Sequence, residues 1–354
     1  MRSNNRSSIF LFLLATIALT ACEKGPRQVA YIKASNAEAG DEFGNGGATL
    51  GNSVALSDDG STLAVGAPLE HGGSRGTNGN QEDNSLYGAG AVYVFSRGDA
   101  GWEQQAYVKA SSPGLGDNFG ANVALSGDGN TLVVFSRFEG SAATGIDGNQ
   151  DDDSIPGAGA VYLFTREGIT WSQQAYIKAS NTGEPAPRED LWSDGDQFGY
   201  AIDLSPDGNT LAVGAIGEDS AATGINGDES DNSATGAGAV YVFVRSDEIW
   251  SQQAYVKASN AGIGHYFGVA VSLGANGDVM AVGSFDEGGS GVPGLDPLLD
   301  EDDPLVGTGA VYVFTRNGST WSEIAKLKAV NAEQEDSLGI AVAISNDGNT
   351  VAAG

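Results

Sequence analysis

Residues 54–67 read Val54-Ala-Leu-Ser-Asp-Asp-Gly-Ser-Thr-Leu-Ala-Val-Gly-Ala67, two short apolar runs on either side of Asp59-Gly60. Asp-Gly or Asn-Gly between apolar runs is the strongest short-range signal for a β-hairpin, because both residues of a tight hairpin turn take positive φ. The same turn recurs at Asp128-Gly129, Asp207-Gly208, Asn276-Gly277 and Asp347-Gly348. The sequence therefore predicts one hairpin that is repeated along the chain.

The hairpin belongs to a repeat of about seventy residues, and repeats of this length indicate stacked structural units. Each copy adds a third strand such as Gly90–Phe95 and a fourth such as Trp102–Ala110. The most regular marker of the repeat is the motif Tyr-x-Lys-Ala-Ser, which begins at Tyr31, Tyr107, Tyr176 and Tyr255. A fifth copy, altered to Lys-Leu-Lys-Ala-Val, begins at Lys326, and the successive copies are 76, 69, 79 and 71 residues apart. We therefore predict four antiparallel strands in each repeat.

The predicted strands are apolar on both faces, with small residues such as Ala64 and Gly66 and large ones such as Tyr93 and Phe95. A sheet that must be covered on both faces, and that recurs along the chain, fits blades stacked radially against one another. A solenoid is the alternative, but its repeats are usually shorter. The sequence predicts an all-β fold, a β-propeller of four-stranded antiparallel blades with four complete blades and a partial fifth.

Two further motifs carry a family resemblance. The second strand of the first copy ends on Val65-Gly66-Ala67-Pro68, and a Phe-Gly pair precedes the first strand of four copies, at Phe43, Phe119, Phe198 and Phe267. These motifs resemble the FG-GAP repeats of the N-terminal β-propeller of integrin α-subunits, over nearly all of residues 28–354. The family's calcium loop is replaced here by a two-residue turn, so its calcium ligands cannot be transferred to these positions.

The repeats predict the organisation of the chain. We expect a signal segment over 1–22, a short tether over 23–27, and repeats at about 28–106, 107–175, 176–254, 255–325 and 326–354. The last repeat contains only a first hairpin, and Val29–Ala34 matches a fourth strand that could close the ring. We expect the natural protein to have further blades.

The first 22 residues have the features of an export signal. Arg2 and Arg6 precede an apolar stretch too short to span a bilayer, and the stretch ends on Leu19-Thr20-Ala21-Cys22, which resembles a bacterial lipobox. The resemblance implies cleavage before Cys22 and lipidation of its thiol, with sorting to the outer membrane because Glu23 follows. The alternative is an ordinary signal peptide with a chance cysteine. We expect a lipid-anchored protein of the cell envelope.

The composition restricts the partners. The chain has 17 basic and 46 acidic residues and a net charge of −29. Nucleic acid and anionic lipid headgroups would be repelled by such a surface, so we expect membrane attachment through the N-terminal lipid only. Solubility alone is an equally good explanation of the charge.

Three of the long connections between the second and third strands are rich in acids and amides. In each, a glutamate at the end of the second strand is followed 13 residues later by an aspartate, as in Glu70 and Asp83. Calcium binds such oxygen ligands, although ordinary turns and repeat duplication would also preserve the spacing. The candidate calcium ligands are Glu70, Asn78, Asn80, Asp83, Glu139, Asp147, Asn149, Asp151, Asp152, Asp153, Glu218, Asn226, Asp228 and Asp231.

The sequence contains little that indicates catalysis. His71 and His265 are its only histidines and are not equivalent in the repeats, and neither a Gly-x-Ser-x-Gly turn nor a phosphate-binding glycine loop is present. Paired carboxylates remain open, because acids are abundant. We therefore predict that the protein is not an enzyme.

A ligand-binding role is the remaining hypothesis. Trp192 lies in an insertion, Gly183–Asp194, that occurs only in the third copy, and an extra aromatic residue on a loop is a candidate ligand contact. The sequence predicts a non-catalytic binding or adhesion module whose blade-end loops contact a protein or a glycan. The alternatives are a structural envelope protein and a propeller-type polysaccharide lyase or hydrolase.

Overall fold

The computed structural model describes residues 28–45, 52–183, 195–288 and 307–354. The chain divides into two units, Met1–Ile32 and Lys33–Gly354. Of the first unit only residues 28–32 are described, and they contain no strand. Within the described ranges, no helix is long and apolar enough to cross a membrane.

Four antiparallel sheets follow one another along the chain, each with its strands in sequence order. The first two contain β1 (Val54–Leu56), β2 (Thr62–Ala67), β3 (Ala91–Gly98) and β4 (Gly101–Val108), then β5 (Phe119–Leu125), β6 (Thr131–Ser136), β7 (Ala160–Glu167) and β8 (Thr170–Ile177). The next two contain β9 (Phe198–Leu204), β10 (Thr210–Ala215), β11 (Ala239–Ser246) and β12 (Ile249–Val256), then β13 (Val271–Gly274), β14 (Val279–Ser284), β15 (Ala310–Asn317) and β16 (Thr320–Leu327). A hairpin of β17 (Val342–Ile344) and β18 (Val351–Ala353) completes the fold, which confirms the predicted propeller of four blades and a further hairpin.

Two local predictions were wrong. Residues 28–34 form no strand, because none of the strands in the described part of the chain pairs with them. The turn between the first two strands is longer than two residues: Gly60 takes a positive φ of 65°, whereas Asp59 does not. The Asp59 carboxylate instead accepts hydrogen bonds from the Ser57 hydroxyl (2.7 Å) and the Ser61 N–H (2.8 Å), and these bonds lower the pKa of Asp59 to about 2.

The core lies between successive blades. One cluster of buried residues joins the first and second sheets, another the second and third, and another the third and fourth. The Phe-Gly phenylalanine covers the third strand of its own blade, as Phe119 does with its ring centroid 5.4 Å from Tyr162 and 6.1 Å from Phe164, both edge-on. Edge-to-face pairs of this kind add to the hydrophobic stabilisation from burial.

The glycines of both motifs lie where neighbouring blades approach most closely. A Cβ on Gly66 would overlap the carbonyl oxygen of Gly120 in the next blade, and one on Gly214 would overlap that of Gly268. The Phe119 N–H donates to the Ala89 carbonyl across the same joint, at 3.1 Å. The motif residues therefore build the contact between blades.

The aligned tryptophans make a second contact between blades. The Trp171 Nε1–H donates to Gln105 Oε1 of the preceding blade at 2.8 Å, and the Arg166 guanidinium lies 5.3 Å from the centre of the same indole. Trp250 bonds to Gln174, and Trp321 bonds to Gln253, each at 2.9 Å. These tryptophans are structural.

Candidate functional site

The glutamates named as candidate calcium ligands are buried and bonded to lysines. Glu70 is 1% exposed, and its carboxylate accepts hydrogen bonds from Lys109 Nζ at 2.7 Å and from the Tyr107 hydroxyl at 2.8 Å. Glu139 binds Lys178 and Tyr176 at 2.7 Å each, and Glu218 binds Lys257 and Tyr255 at 2.5 and 2.6 Å. The lysine and tyrosine of the Tyr-x-Lys-Ala-Ser marker are therefore the partners of these glutamates.

The fourth blade has a different version of this cluster. Lys326 stands where the other blades have the tyrosine, so Glu287 pairs with Lys326 at 2.7 Å and with Lys328 as well. Lys328 also donates to the Gly288 carbonyl at 3.1 Å and the Thr308 hydroxyl at 2.6 Å. Each glutamate is thus neutralised by the protein's own cations.

The loop after each of the first three glutamates covers the outer edge of its blade. The Asn78 N–H donates to the Tyr107 carbonyl at 2.7 Å, and Asn78 Oδ1 accepts the Tyr107 N–H at 3.0 Å. Asp147 makes these two bonds with Tyr176, and Asn226 makes them with Tyr255. A fourth strand left open would be a template for pairing with other chains, and the loop blocks it.

The other candidate ligands hold the loops in shape. Asp83, Asp152 and Asp231 accept the N–H groups of Gly73, Ala142 and Ala221 at 3.1, 2.8 and 2.8 Å. Asn80, Asn149 and Asp228 accept N–H groups two residues further on, at 3.2, 3.2 and 3.0 Å. Asp151 binds the Ser112 hydroxyl at 2.7 Å and Arg75 at 3.4 Å, and Asp153 is exposed.

These bonds explain the fixed separation of 13 residues without an ion, because both ends of the interval have structural partners. Over the ranges that the structure describes, no group of three or more His, Cys, Asp or Glu residues is arranged to hold a metal. Calcium binding at these loops stays a prediction. Cys22 and Trp192 lie outside the described residues.

One blade departs from the pattern next to its glutamate. In the first, third and fourth blades, an asparagine of the preceding linker accepts a hydrogen bond from a buried tyrosine of the third strand: Asn36 from Tyr93, Asn181 from Tyr241 and Asn260 from Tyr312. Ser112 stands at this position before the second blade, and the buried Tyr162 hydroxyl has no hydrogen-bond partner among the described residues.

Ser112→Asn should therefore raise the free energy of unfolding by about 1 kcal/mol, because it gives a buried hydroxyl its missing partner. The gain should disappear in a Tyr162→Phe background, where no hydroxyl is left to satisfy. Asn181→Ser, the reverse change in the third blade, should destabilise by a similar amount. Urea unfolding of the four variants checks this, and a gain that persists in Tyr162→Phe would contradict it.

A cavity of about 150 Å³ lies between the first strands of the blades, on the axis of the propeller. Its wall includes Asn52, Asn122 and Tyr200, and the Asn122 amide donates to the Tyr200 backbone carbonyl at 3.4 Å. Apolar residues complete it from β13 and the chain around β17, at 269–271 and 340–342. Polar groups placed inside a concave site fix the orientation of a small-molecule ligand.

The cavity-lining residues differ from blade to blade, in contrast to the residues of the joints. Asn122 pairs across its sheet with Phe135, and Ala201 stands at the equivalent position of β9, paired with Gly214. Positions that serve only the packing of the blades, such as the Phe-Gly glycines, have the same residue in the different repeats. The variation at the cavity-lining positions therefore indicates a role other than packing. Comparison of the repeats at these positions was the signal in the sequence that could have identified the site.

The residue before each Phe-Gly pair adds to the variation beside the cavity. The residues before the four Phe-Gly pairs and before Leu338-Gly339 all have positive φ, between 51° and 58°: Glu42, Asn118, Gln197, Tyr266 and Ser337. Asparagine is among the residues that accept this conformation most readily. Yet Tyr266 takes it and stacks on Phe285, with centroids 5.2 Å apart, in a cluster with Tyr200 and Val269. The aromatic side chains support the wall of the cavity.

Comparison with solved structures finds partial similarities at low sequence identity. One similar solved structure is a protein from Lactobacillus plantarum, with 14% identity, a TM-score of 0.48, and coverage of 85% of this chain and 62% of that chain. Another is the periplasmic gluconolactonase of Pseudomonas aeruginosa, with 16% identity, a TM-score of 0.43, and coverage of 85% of this chain and 63% of that chain. Sqt1 of Chaetomium thermophilum is a third, with 12% identity, a TM-score of 0.37, and coverage of 84% of this chain and 66% of that chain. The chain therefore spans less than two thirds of the length of each of these structures. No family model and no curated protein matches it.

One of these findings corrects the prediction that the protein is not an enzyme. A solved structure similar to this chain is a gluconolactonase, so the missing sequence motifs do not decide against catalysis, and that prediction is withdrawn. The lactonase activity belongs to the Pseudomonas protein. At 16% identity and a TM-score of 0.43, the similarity does not carry that chemistry to this chain.

Proposed function

We propose that this protein is a ligand-binding β-propeller of the cell envelope, built from FG-GAP-like repeats and anchored by a lipid on Cys22. Its ligand occupies the axial cavity, and the ligand is a neutral, hydroxyl-rich molecule such as a sugar unit of a glycan. The observation that carries the proposal is the cavity itself, with Asn52, Asn122 and Tyr200 in its wall. The anchor rests on the Leu19–Cys22 motif of the sequence.

The chemistry of the wall favours this class of ligand. An amide side chain offers both donors and an acceptor, which matches the paired donor and acceptor character of a sugar hydroxyl. Asn122 Nδ2 lies 3.4 Å from the Tyr200 carbonyl oxygen, so its oxygen is left for a ligand. The short apolar side chains of Ala201, Ala270 and Ala341 lie beside these groups in the wall. The net charge of −29 disfavours an anionic ligand.

Asn122→Ala should weaken glycan binding about tenfold, which corresponds to the loss of one or two net hydrogen bonds. Asn317→Ala is the matched control, because Asn317 is the exposed last residue of β15 and is not among the residues that line the cavity. A glycan-array screen identifies the ligand, and calorimetry on the first ligand found compares the variants. Equal affinity in wild type and Asn122→Ala would contradict the proposed site, and release of reducing ends from the bound glycan would identify catalysis.

A further inference from the structure

One acidic side chain lies on a first strand where the other blades have small residues. Asp203 of β9 pairs across its sheet with Ala212, and the registers place Ala55, Ala124, Ser272 and Ala343 at the equivalent positions of the other first strands. The side chain is half-buried. It is one residue beyond Ile202, which lines the axial cavity.

Asp203 joins its own strand to the first strand of the next blade. One carboxylate oxygen accepts the Leu273 N–H of β13 at 2.7 Å, and the other accepts the Leu204 N–H at 2.9 Å. The Ser272 hydroxyl also bonds to the carboxylate, and Ser272 Oγ accepts the Ile344 N–H of β17 at 3.1 Å. Side chains thus link three successive blades at the inner edge of the sheets, where no further strand can satisfy the backbone.

The surroundings of Asp203 leave its carboxylate without a counter-charge. The strands β5, β6, β10 and β13 that pack against β9 contain no ionisable side chain. On β7 the ionisable residues are Tyr162, Arg166 and Glu167, and none of them contributes to the field at Asp203. Burial raises the pKa of Asp203 to about 6, against the opposing effect of its three hydrogen-bond donors.

We propose that Asp203 is a proton-sensitive link between β9 and β13, and that its protonation changes the axial cavity whose walls these two strands supply. Residues 200–202 precede Asp203 on β9, and residues 269–271 lie at the start of β13, so both strands enter the cavity wall directly beside the link. A protonated carboxyl group can donate to Ser272 Oγ, and it is a weaker acceptor for the Leu273 N–H than a carboxylate is. The effect on the cavity rests on the proposed ligand site, whereas the titration of the link does not.

The direction of the effect follows from linkage. The folded protein holds the Asp203 proton more tightly than the unfolded chain, whose aspartates have a pKa near 3.8. The folded state is therefore favoured when Asp203 is protonated, and that contribution is lost as pH rises from about 4 through 6. A difference of about two pKa units corresponds to about a 100-fold change in the unfolding equilibrium constant.

Urea unfolding between pH 4 and 7.5 tests the link without any ligand. The ratio of the unfolding constants of wild type and Asp203→Asn should change about 100-fold over this range. The ratio for Asp247→Asn, an exposed aspartate in the turn between β11 and β12, should stay constant. A constant ratio for Asp203→Asn would overturn the proposal.

Nuclear magnetic resonance of the wild-type protein gives a readout that needs no variant to fold. The Leu273 amide proton should titrate with a midpoint near pH 6, because its acceptor changes from carboxylate to acid. A midpoint below pH 5, or no titration, would overturn the link.

Once a glycan ligand is known, its affinity should vary with pH in wild type and not in Asp203→Asn. A titrating link with a pH-independent affinity would overturn the effect on the cavity alone.

Discussion

Glu218→Gln should lower the free energy of unfolding by about 3–5 kcal/mol, with or without calcium. Glu218 and Lys257 are buried together, at 1% and 0% exposure, and their charged atoms lie 2.5 Å apart. Removal of the carboxylate takes the directly bonded counter-charge from a buried ammonium group and leaves only the weaker field of Asp219 and Asp196, and this is far more costly than the loss of one hydrogen bond. The Tyr255 hydroxyl, 2.6 Å from Glu218, loses a charged acceptor at the same time.

The control for this variant is the removal of both partners. Glu218→Gln combined with Lys257→Met should recover most of the stability, because a neutral pair of similar volume has no uncompensated charge. Urea unfolding of the wild type, the two single variants and the double variant gives the coupling between the side chains. Millimolar calcium and excess chelator are added in parallel. A loss in Glu218→Gln that appears only with calcium present would support the ion site and contradict the structural role.

The pH dependence separates the two explanations further. Burial lowers the pKa of Lys257, and Glu218 opposes that decrease. Without Glu218 the pKa should fall further, so that the unfolded chain binds more protons than the folded one over the alkaline range. The stability deficit of Glu218→Gln should therefore shrink as pH rises from 7 towards 9.5. An equal deficit at all pH values would contradict an uncompensated lysine.

The strand order was predictable because its signals are local. The turn of each first hairpin carries Asp-Gly or Asn-Gly, and the second and third strands of the repeats are short apolar runs. The exact turn was not predictable, because the two-residue signal does not show that the Asp59 side chain bonds to Ser57 and Ser61. The propeller was predictable because the sequence repeats, and repeats of similar sequence adopt the same structure and stack on their neighbours.

The lysine partners of the loop glutamates were not predicted, because these partners are distant in sequence. The charge, spacing and loop composition around Glu139 all fit an ion, and only the sheet register brings Lys178 beside it, 39 residues further on. The same separation joins Glu70 to Lys109 and Glu218 to Lys257, so a comparison of the repeats at this range would have found the pairs.

Asp203 and the axial cavity were not predictable from any single repeat, since both arise where strands from different blades meet. Hydrophobic periodicity describes one strand at a time, and Asp203 interrupts an apolar run in only one copy. The residues at the joints between blades are the same in most repeats, so the sequence predicts them. The proposed ligand site depends instead on positions whose residues vary between the repeats.

Gly238→Ala should destabilise the protein by about 2–5 kcal/mol through the joint between the third and fourth blades. Gly238 has a φ of 79°, and a Cβ there would overlap the carbonyl oxygen of Phe267. The Phe267 N–H donates to the Ala237 carbonyl at 3.0 Å across the same joint. Backbone cannot yield as a flexible side chain can, so the two blades must separate or the hydrogen bond must break.

Gly224→Ala is the matched control, because it separates the conformational cost from the steric one. Gly224 has a φ of 74°, and a Cβ there would have nothing within 4 Å. Both variants place alanine in the left-handed region, which costs about 1–2 kcal/mol, so Gly224→Ala should lower the free energy of unfolding by only that amount. The excess loss in Gly238→Ala, about 1–3 kcal/mol, then measures the close approach of the blades. Equal losses in the two variants, by urea unfolding, would mean that the joint relaxes freely and that the Phe-Gly contact does not determine the spacing of the blades.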